Sequence, residues 1–213
     1  MKIYAWCVNN HLLINTNKTK CIQFKLKENN ADIIPKIIIH SCEKICHCKE
    51  IEVVENLKYL GLTFDKGLKW NKHTEILNNY LKRMNYIFYY IKNILKKYIE
   101  IAYYSLVQSH ISYGIMGFGT TYNKYLKSIF KLQKNIIRNV YKNNKITIDN
   151  SIFLNIKQLL IYKIIQYFEK HKDLVKLNNH SLRKQTFLCP QPKCEKFKQC
   201  YSYLYSKIFN HLP

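Results

Sequence analysis

Acid is what this 213-residue chain has least of: 13 Asp and Glu stand against 35 Lys and Arg, a formal charge of +22. Solubility needs far less, so the imbalance points to a polyanionic partner, nucleic acid first and an anionic membrane surface second. The only aspartates are Asp32, Asp65, Asp149 and Asp173, and none has an acidic neighbour. That excludes an adjacent carboxylate pair of the kind that holds two catalytic metal ions. Long apolar runs are missing as well: none approaches the roughly 18 residues of a membrane span. The apolar stretch in Met1 to Ile14 is short and interrupted by Asn and His, unlike a signal peptide. An intracellular protein, nuclear or cytoplasmic and without a membrane partner, is the expectation. Gly-rich phosphate loops, nucleophile elbows, HExxH motifs and internal repeats are also absent.

Eight cysteines are present, and in a reducing compartment they are thiols or metal ligands rather than a disulfide framework. His40, Cys42, Cys46, His47 and Cys48 crowd into nine residues. His180, Cys189, Cys194 and Cys200 form a looser second set. Neither has the paired spacing of a zinc finger or knuckle, so both are weak candidates for zinc against plain thiols in loops.

Hydropathy patterning divides the chain. Ile3, Trp6, Cys7, Leu12 and Leu13 suit the last turns of a helix and a short connection. Cys21 to Leu26 alternates as a half-buried strand, and Ile33 to Ile39 is a β-branched run broken by Pro35. A further strand is expected from Val53 through Phe64, with Gly61 inside it as a bulge. After the turn at Asp65, Lys66 and Gly67 the period becomes helical. From Asn71, a plausible N-cap, apolar residues recur through Tyr98 over about seven turns. Further helices are expected over Ile101 to Ser112, about Tyr122 to Tyr141, and about Ser151 to Lys172. Gly114, Gly117 and Gly119 read as a loop between the first two. The tail from Asn178 holds three of the four prolines and reads as mostly irregular.

The helix near Tyr122 to Tyr141 is the most informative. At 100° per residue, Leu126, Ile129, Phe130, Ile136, Ile137 and Val140 share one side. Lys124, Lys127, Lys131, Lys134, Arg138 and Lys142 share the adjoining arc, and no Asp or Glu occurs from Ile101 to Ile148. Ordinary solvated faces mix both signs, although Lys is abundant throughout this chain. The functional reading is a helix laid along a phosphate backbone, with Tyr103, Tyr104 and Tyr125 as sugar or base contacts. Six phosphate contacts correspond to a slope of about −5 in log K against log salt.

Three blocks in order carry a resemblance. Trp6 to Asn15 leads to Asn17-Lys18-Thr19-Lys20 and on to Phe24. Leu57-Lys58-Tyr59-Leu60-Gly61-Leu62 runs to Asp65, Leu68, Trp70 and His73. Tyr104-Ser105-Leu106-Val107-Gln108-Ser109 precedes Tyr113-Gly114, then Leu132-Gln133-Lys134 with Ile137 and Arg138. Together with the ending Phe209-Asn210-His211-Leu212-Pro213, these resemble the non-LTR retrotransposon reverse transcriptases of the jockey-like type, over almost the whole chain.

The resemblance implies an α+β fold: short palm-derived β-strands at the N-terminus, then a mainly α-helical thumb and a C-terminal extension. Residues 1–66 would be the end of the palm, 67–148 the thumb, and 149–213 a helical extension with an irregular tail. Lys18 would approach the triphosphate and donate a proton to the leaving pyrophosphate; an exposed Lys before a strand would look the same. Tyr59, Leu60 and Gly61 would form a primer-grip-like hairpin. The implied partners are RNA, DNA or an RNA–DNA duplex, bound without sequence preference, and the missing palm and fingers. The family's aspartate pair lies upstream of the Lys18 block. Mg²⁺ is therefore implied for the complete polymerase and no cofactor for this chain, which is expected to be inactive alone. A non-enzymatic basic nucleic-acid-binding protein of the host, or a zinc-stapled interaction domain, remains an alternative.

Overall fold

The computed structural model describes residues 2–24, 36–38, 50–91, 98–140, 154–171, 187–189, 191 and 197–211. The molecule is α+β and mainly helical, and it divides into two compact units, 1–72 and 73–213.

The first unit holds helix α1 (Lys2–Asn9) and four short strands among the described residues. β1 (Lys20–Cys21) lies parallel to β2 (Glu52–Val53). The strand expected to continue to Leu26 is only these two residues; Ile22 to Phe24 follow irregularly and residues 25 and 26 lie outside the described set. Of the β-branched run only 36–38 is described, with Ile38 bridged to Glu50.

The continuous strand that hydropathy predicts through Gly61 is instead a hairpin, at the residues where the resemblance implied one. β3 (Asn56–Tyr59) pairs antiparallel with β4 (Leu62–Asp65), Tyr59 opposite Leu62, so that Leu60 and Gly61 alone make the turn. Both have positive φ, 46° and 80°, the geometry whose twist matches the flanking strands. A bulge keeps a strand running, whereas these two angles reverse it. Beyond the hairpin, Asp65 is buried and accepts backbone N–H groups from Gly67 (3.1 Å), Lys69 (2.9 Å) and Trp70 (2.6 Å). That seats Trp70 against Phe64, ring centroids 5.0 Å apart.

The second unit is helical. α2 (Asn71–Ile91) buries Leu77, Leu81 and Phe88 along one stripe, each side chain worth about 1.5–3 kcal/mol once removed from water. Residues 92–97, expected to extend it, lie outside the described set. α3 (Ile99–Tyr103), a π-helical turn (Tyr104–Gln108) and α4 (Ser109–Ser112) run on as one rod. Tyr80 of α2 donates to the Leu106 carbonyl of that wide turn at 2.8 Å and stacks on His110, centroids 4.1 Å apart.

The glycine-rich stretch is not a loop. Gly114, at φ 68°, reverses the chain into α5 (Ile115–Phe118), which contains Gly117. Gly119 follows where a Cβ would sit 2.5 Å from the Ile115 carbonyl oxygen and 3.0 Å from Leu160. There glycine serves close packing rather than flexibility.

α6 (Asn123–Val140) follows, then α7 (Ile156–Lys170), and helices on both sides of residue 148 share packing: α7 meets α4, α5, α6 and α8. α7 starts behind a capping box, Asn155 accepting from Lys157 and Gln158 while the Gln158 side chain accepts from Asn155 N–H. Residues 151–153 of the expected helix lie outside the described set.

The expected irregular tail ends in a helix, α8 (Tyr201–His211). Its Tyr205 stacks on Phe168 of α7 (4.6 Å), and Phe187 closes on Tyr205 (5.3 Å) and Phe209 (4.7 Å). Asn210 completes the corner, accepting from Phe187 N–H and donating to Phe187 C=O, both at 2.9 Å. Prolines 190 and 192 precede α8 and leave its apolar stripe intact.

Two substitutions test these features. Leu60 is 70% exposed in a left-handed conformation that Asn tolerates better. Leu60→Asn is expected to stabilise the hairpin by about 0.5–1 kcal/mol, read as a higher urea midpoint; a lower midpoint contradicts the turn. Asn210→Asp keeps the shape but turns a donor into a second acceptor facing the Phe187 carbonyl. The expected loss is about 1–3 kcal/mol, or roughly 2–4 °C in Tm for each kcal/mol. A melt unchanged from wild type would remove Asn210 from the account.

Candidate nucleic-acid interface

α6 has two chemically distinct sides. Leu126, Ile129, Gln133, Ile136 and Ile137 are buried, an arc of about 100° at 100° per residue. Lys124, Lys127, Lys131 and Arg138 are exposed and Lys134 is half-buried. These five cations follow each other at intervals of three, four, three and four residues. That interval tracks one narrow line, about 21 Å long at 1.5 Å per residue. Lys142, the sixth expected member, lies outside the described residues.

None of the five cations meets a carboxylate among the described residues. Lys20–Glu52, Lys36–Glu50 and Lys66–Glu55 form ion pairs in the first unit. Lys124 lies over the Tyr125 ring at 4.8 Å, which leaves its charge uncancelled.

The buried side departs from the expected apolar set at three positions, one of them Val140, which is only half-buried. Phe130 is 36% exposed; it falls between the core arc and the cations. Gln133 is fully buried instead. Its Nε2 donates to the Tyr103 hydroxyl and to the Leu154 carbonyl, both at 3.0 Å, and Tyr103 in turn donates to Gln108 Oε1 at 3.0 Å. Burial pushes the Tyr103 phenol up to about 12, so it keeps the proton this chain of bonds needs. One side chain thereby ties α6 to the rod before it and to the entrance of α7. Periodicity counts Gln as polar and so assigns it to solvent; only its place at the centre of the apolar arc signals otherwise.

Tyr103, expected to touch nucleic acid, is fully buried and cannot. Tyr104 is exposed and Tyr125 half-buried. Between α2 and α6 a cleft of 540 Å³ opens beside Arg138; neither its asparagines nor its tyrosines stand out in the sequence.

The other candidates lie in the first unit. Lys18 is exposed, on a turn in which the Asn15 carbonyl accepts from Lys18 N (3.1 Å), Thr19 N (3.0 Å) and Thr19 Oγ1 (2.8 Å). Tyr59, Leu60 and Gly61 form the exposed hairpin tip. His40, Cys42, Cys46 and Cys48 lie outside the described residues, as do His47, His180 and Cys194. Cys189 and Cys200 are free, exposed thiols, and no cluster of three metal-ligating side chains occurs among the described residues. No described helix is long and apolar enough to cross a membrane. No protein-family model matches the chain, and no curated protein or solved structure is significantly similar to it.

Proposed function

We propose that this chain grips nucleic acid by its phosphates along α6, as the duplex-holding portion of a non-LTR retrotransposon reverse transcriptase whose chemistry is done elsewhere. The observation that carries the reading is the acid-free line of Lys124, Lys127, Lys131, Lys134 and Arg138 beside the buried side of α6. A line of four ammonium groups and one guanidinium offers charge and donors to phosphate oxygens, which every sequence carries, so it suits RNA, DNA or a hybrid duplex in any sequence.

The resembling blocks lend support because many of their residues have definite structural work. Asn15 and Thr19 close a turn, Asp65 and Trp70 anchor the hairpin, Gln133 ties helices together and Asn210 closes the last corner. In this reading the Tyr59 to Gly61 tip meets the primer and Lys18 the triphosphate.

Mg²⁺ belongs to the complete polymerase. The described residues do not suit it: Asp65, the one aspartate among them, is buried with its oxygens taken by three backbone amides. No metal-dependent step is assigned to this chain.

The test is binding to a primed template at graded salt. Five phosphate contacts give a slope near −4.5 in log K against log salt. Lys127→Ala with Lys131→Ala is expected to reduce the slope by about 2 and to weaken all sequences alike. A slope near zero, or a loss confined to one sequence, contradicts the reading. In a primer-extension assay with Mg²⁺ or Mn²⁺ the purified chain is expected to add no nucleotide, and incorporation would assign it the chemistry denied above.

A further inference from the structure

The cleft between α2 and α6 is lined by Lys82, Asn85, Tyr86 and Tyr89 from one helix and Asn135, Arg138 and Asn139 from the other. At 540 Å³ it falls within the range of small-molecule sites, about 300–1,000 Å³. Its lining is unusual for a fold-derived gap: two cations, three amides and two phenols, with no carboxylate and no aliphatic side chain. Such a lining offers contacts to a polar, anionic, planar guest.

Each component matches part of a nucleotide. Arg138 is the last described cation of the α6 line, and Lys82 faces it from α2, so a phosphate following the line arrives at the mouth of the cleft. Tyr86 and Tyr89 are 65% and 55% exposed, far more than packed aromatics, and Tyr86 leans on Tyr90 at 4.6 Å. Exposed rings beside a cationic track are the stacking platforms of single-strand binders. Asn139 donates to Asn85 Oδ1 at 3.2 Å. That pairing leaves the Asn139 carbonyl and the Asn85 amino group to address a base edge, which carries acceptors and donors side by side.

We infer that this cleft receives one unpaired nucleotide at the end of the α6 line, its phosphate between Arg138 and Lys82 and its base against Tyr86 or Tyr89. The inference rests on the phosphate-gripping role proposed above. It makes the protein a reader of junctions between duplex and single strand: the line holds the paired part, and the cleft holds the first base that has left the stack.

Three labelled probes test it on the full chain by fluorescence anisotropy: a blunt duplex, the same duplex with a short single-stranded extension, and that extension built from abasic residues. The two extended probes carry equal numbers of phosphates, so they differ only in the bases. The base-bearing extension is expected to bind about tenfold more tightly than the abasic one, the range of a single stacked base. Tyr86→Ala with Tyr89→Ala is expected to abolish that difference and leave the blunt duplex unaffected, whereas Tyr86→Phe with Tyr89→Phe retains it. Equal affinity for the two extended probes overturns the inference, as does a base preference that survives loss of both rings. If Lys127→Ala with Lys131→Ala leaves the blunt duplex unaffected while the base preference persists, the α6 line fails and the cleft stands. If no probe binds, both fail together.

Discussion

Burial of one side of α6 is the constraint on which the helical unit depends. Leu126, Ile129, Ile136 and Ile137 fill the space between the rod before them and α7, and Gln133 supplies the polar joints among these elements. A helix anchored along one side has no rotational freedom, so the residues on the adjoining arc point where the core dictates. Lysine cannot take part in that core without losing its hydration. The five cations are therefore held outward by what lies behind them. Turning α6 to hide them would expose four large apolar residues and break two buried hydrogen bonds.

That arrangement carries a cost the chain does not relieve internally. Four neighbouring pairs of like charge stand three or four residues apart on α6, each disfavouring the helix by about 0.2–0.5 kcal/mol. Acids placed between them would cancel this and would also cancel the attraction for phosphate. A polyanion laid along the line, as proposed, would relieve that repulsion, and part of its binding energy would then come from the unbound helix. The same logic would make the proposed interaction sensitive to salt, because small ions compete for the same relief.

Legibility in the sequence followed how local each cause was. α2 and α6 are long and strongly periodic, and both begin where their first apolar repeats predict. The cationic line needed only the helical angle and the count of charges. Hydropathy alone hid the hairpin that the resemblance implied, because Leu62, Phe64 and Leu57 continue an alternating pattern across Leu60 and Gly61, and Leu-Gly is a weaker turn signal than Asn-Gly. α5 was hidden because three glycines in six residues look like a loop, although one sets a left-handed turn and another lets α5 approach Leu160. α8 was hidden by the prolines ahead of it, and the Asn155 capping box by its short polar signal.

Composition, charge and helical period determined, with no structure in hand, that the chain is basic, mainly helical after residue 70, and built to present a line of cations. These are properties of neighbouring residues, and neighbours are what a sequence displays. Tertiary structure alone decided that Gln133 and Tyr103 are internal, that Phe130 is not, and that Asn210 closes a corner 23 residues away in sequence at Phe187. It alone decided, too, that asparagines and tyrosines from two separate helices face one another across a single cleft. Such contacts join residues far apart in the chain, and their energies exist only once the elements between them have packed.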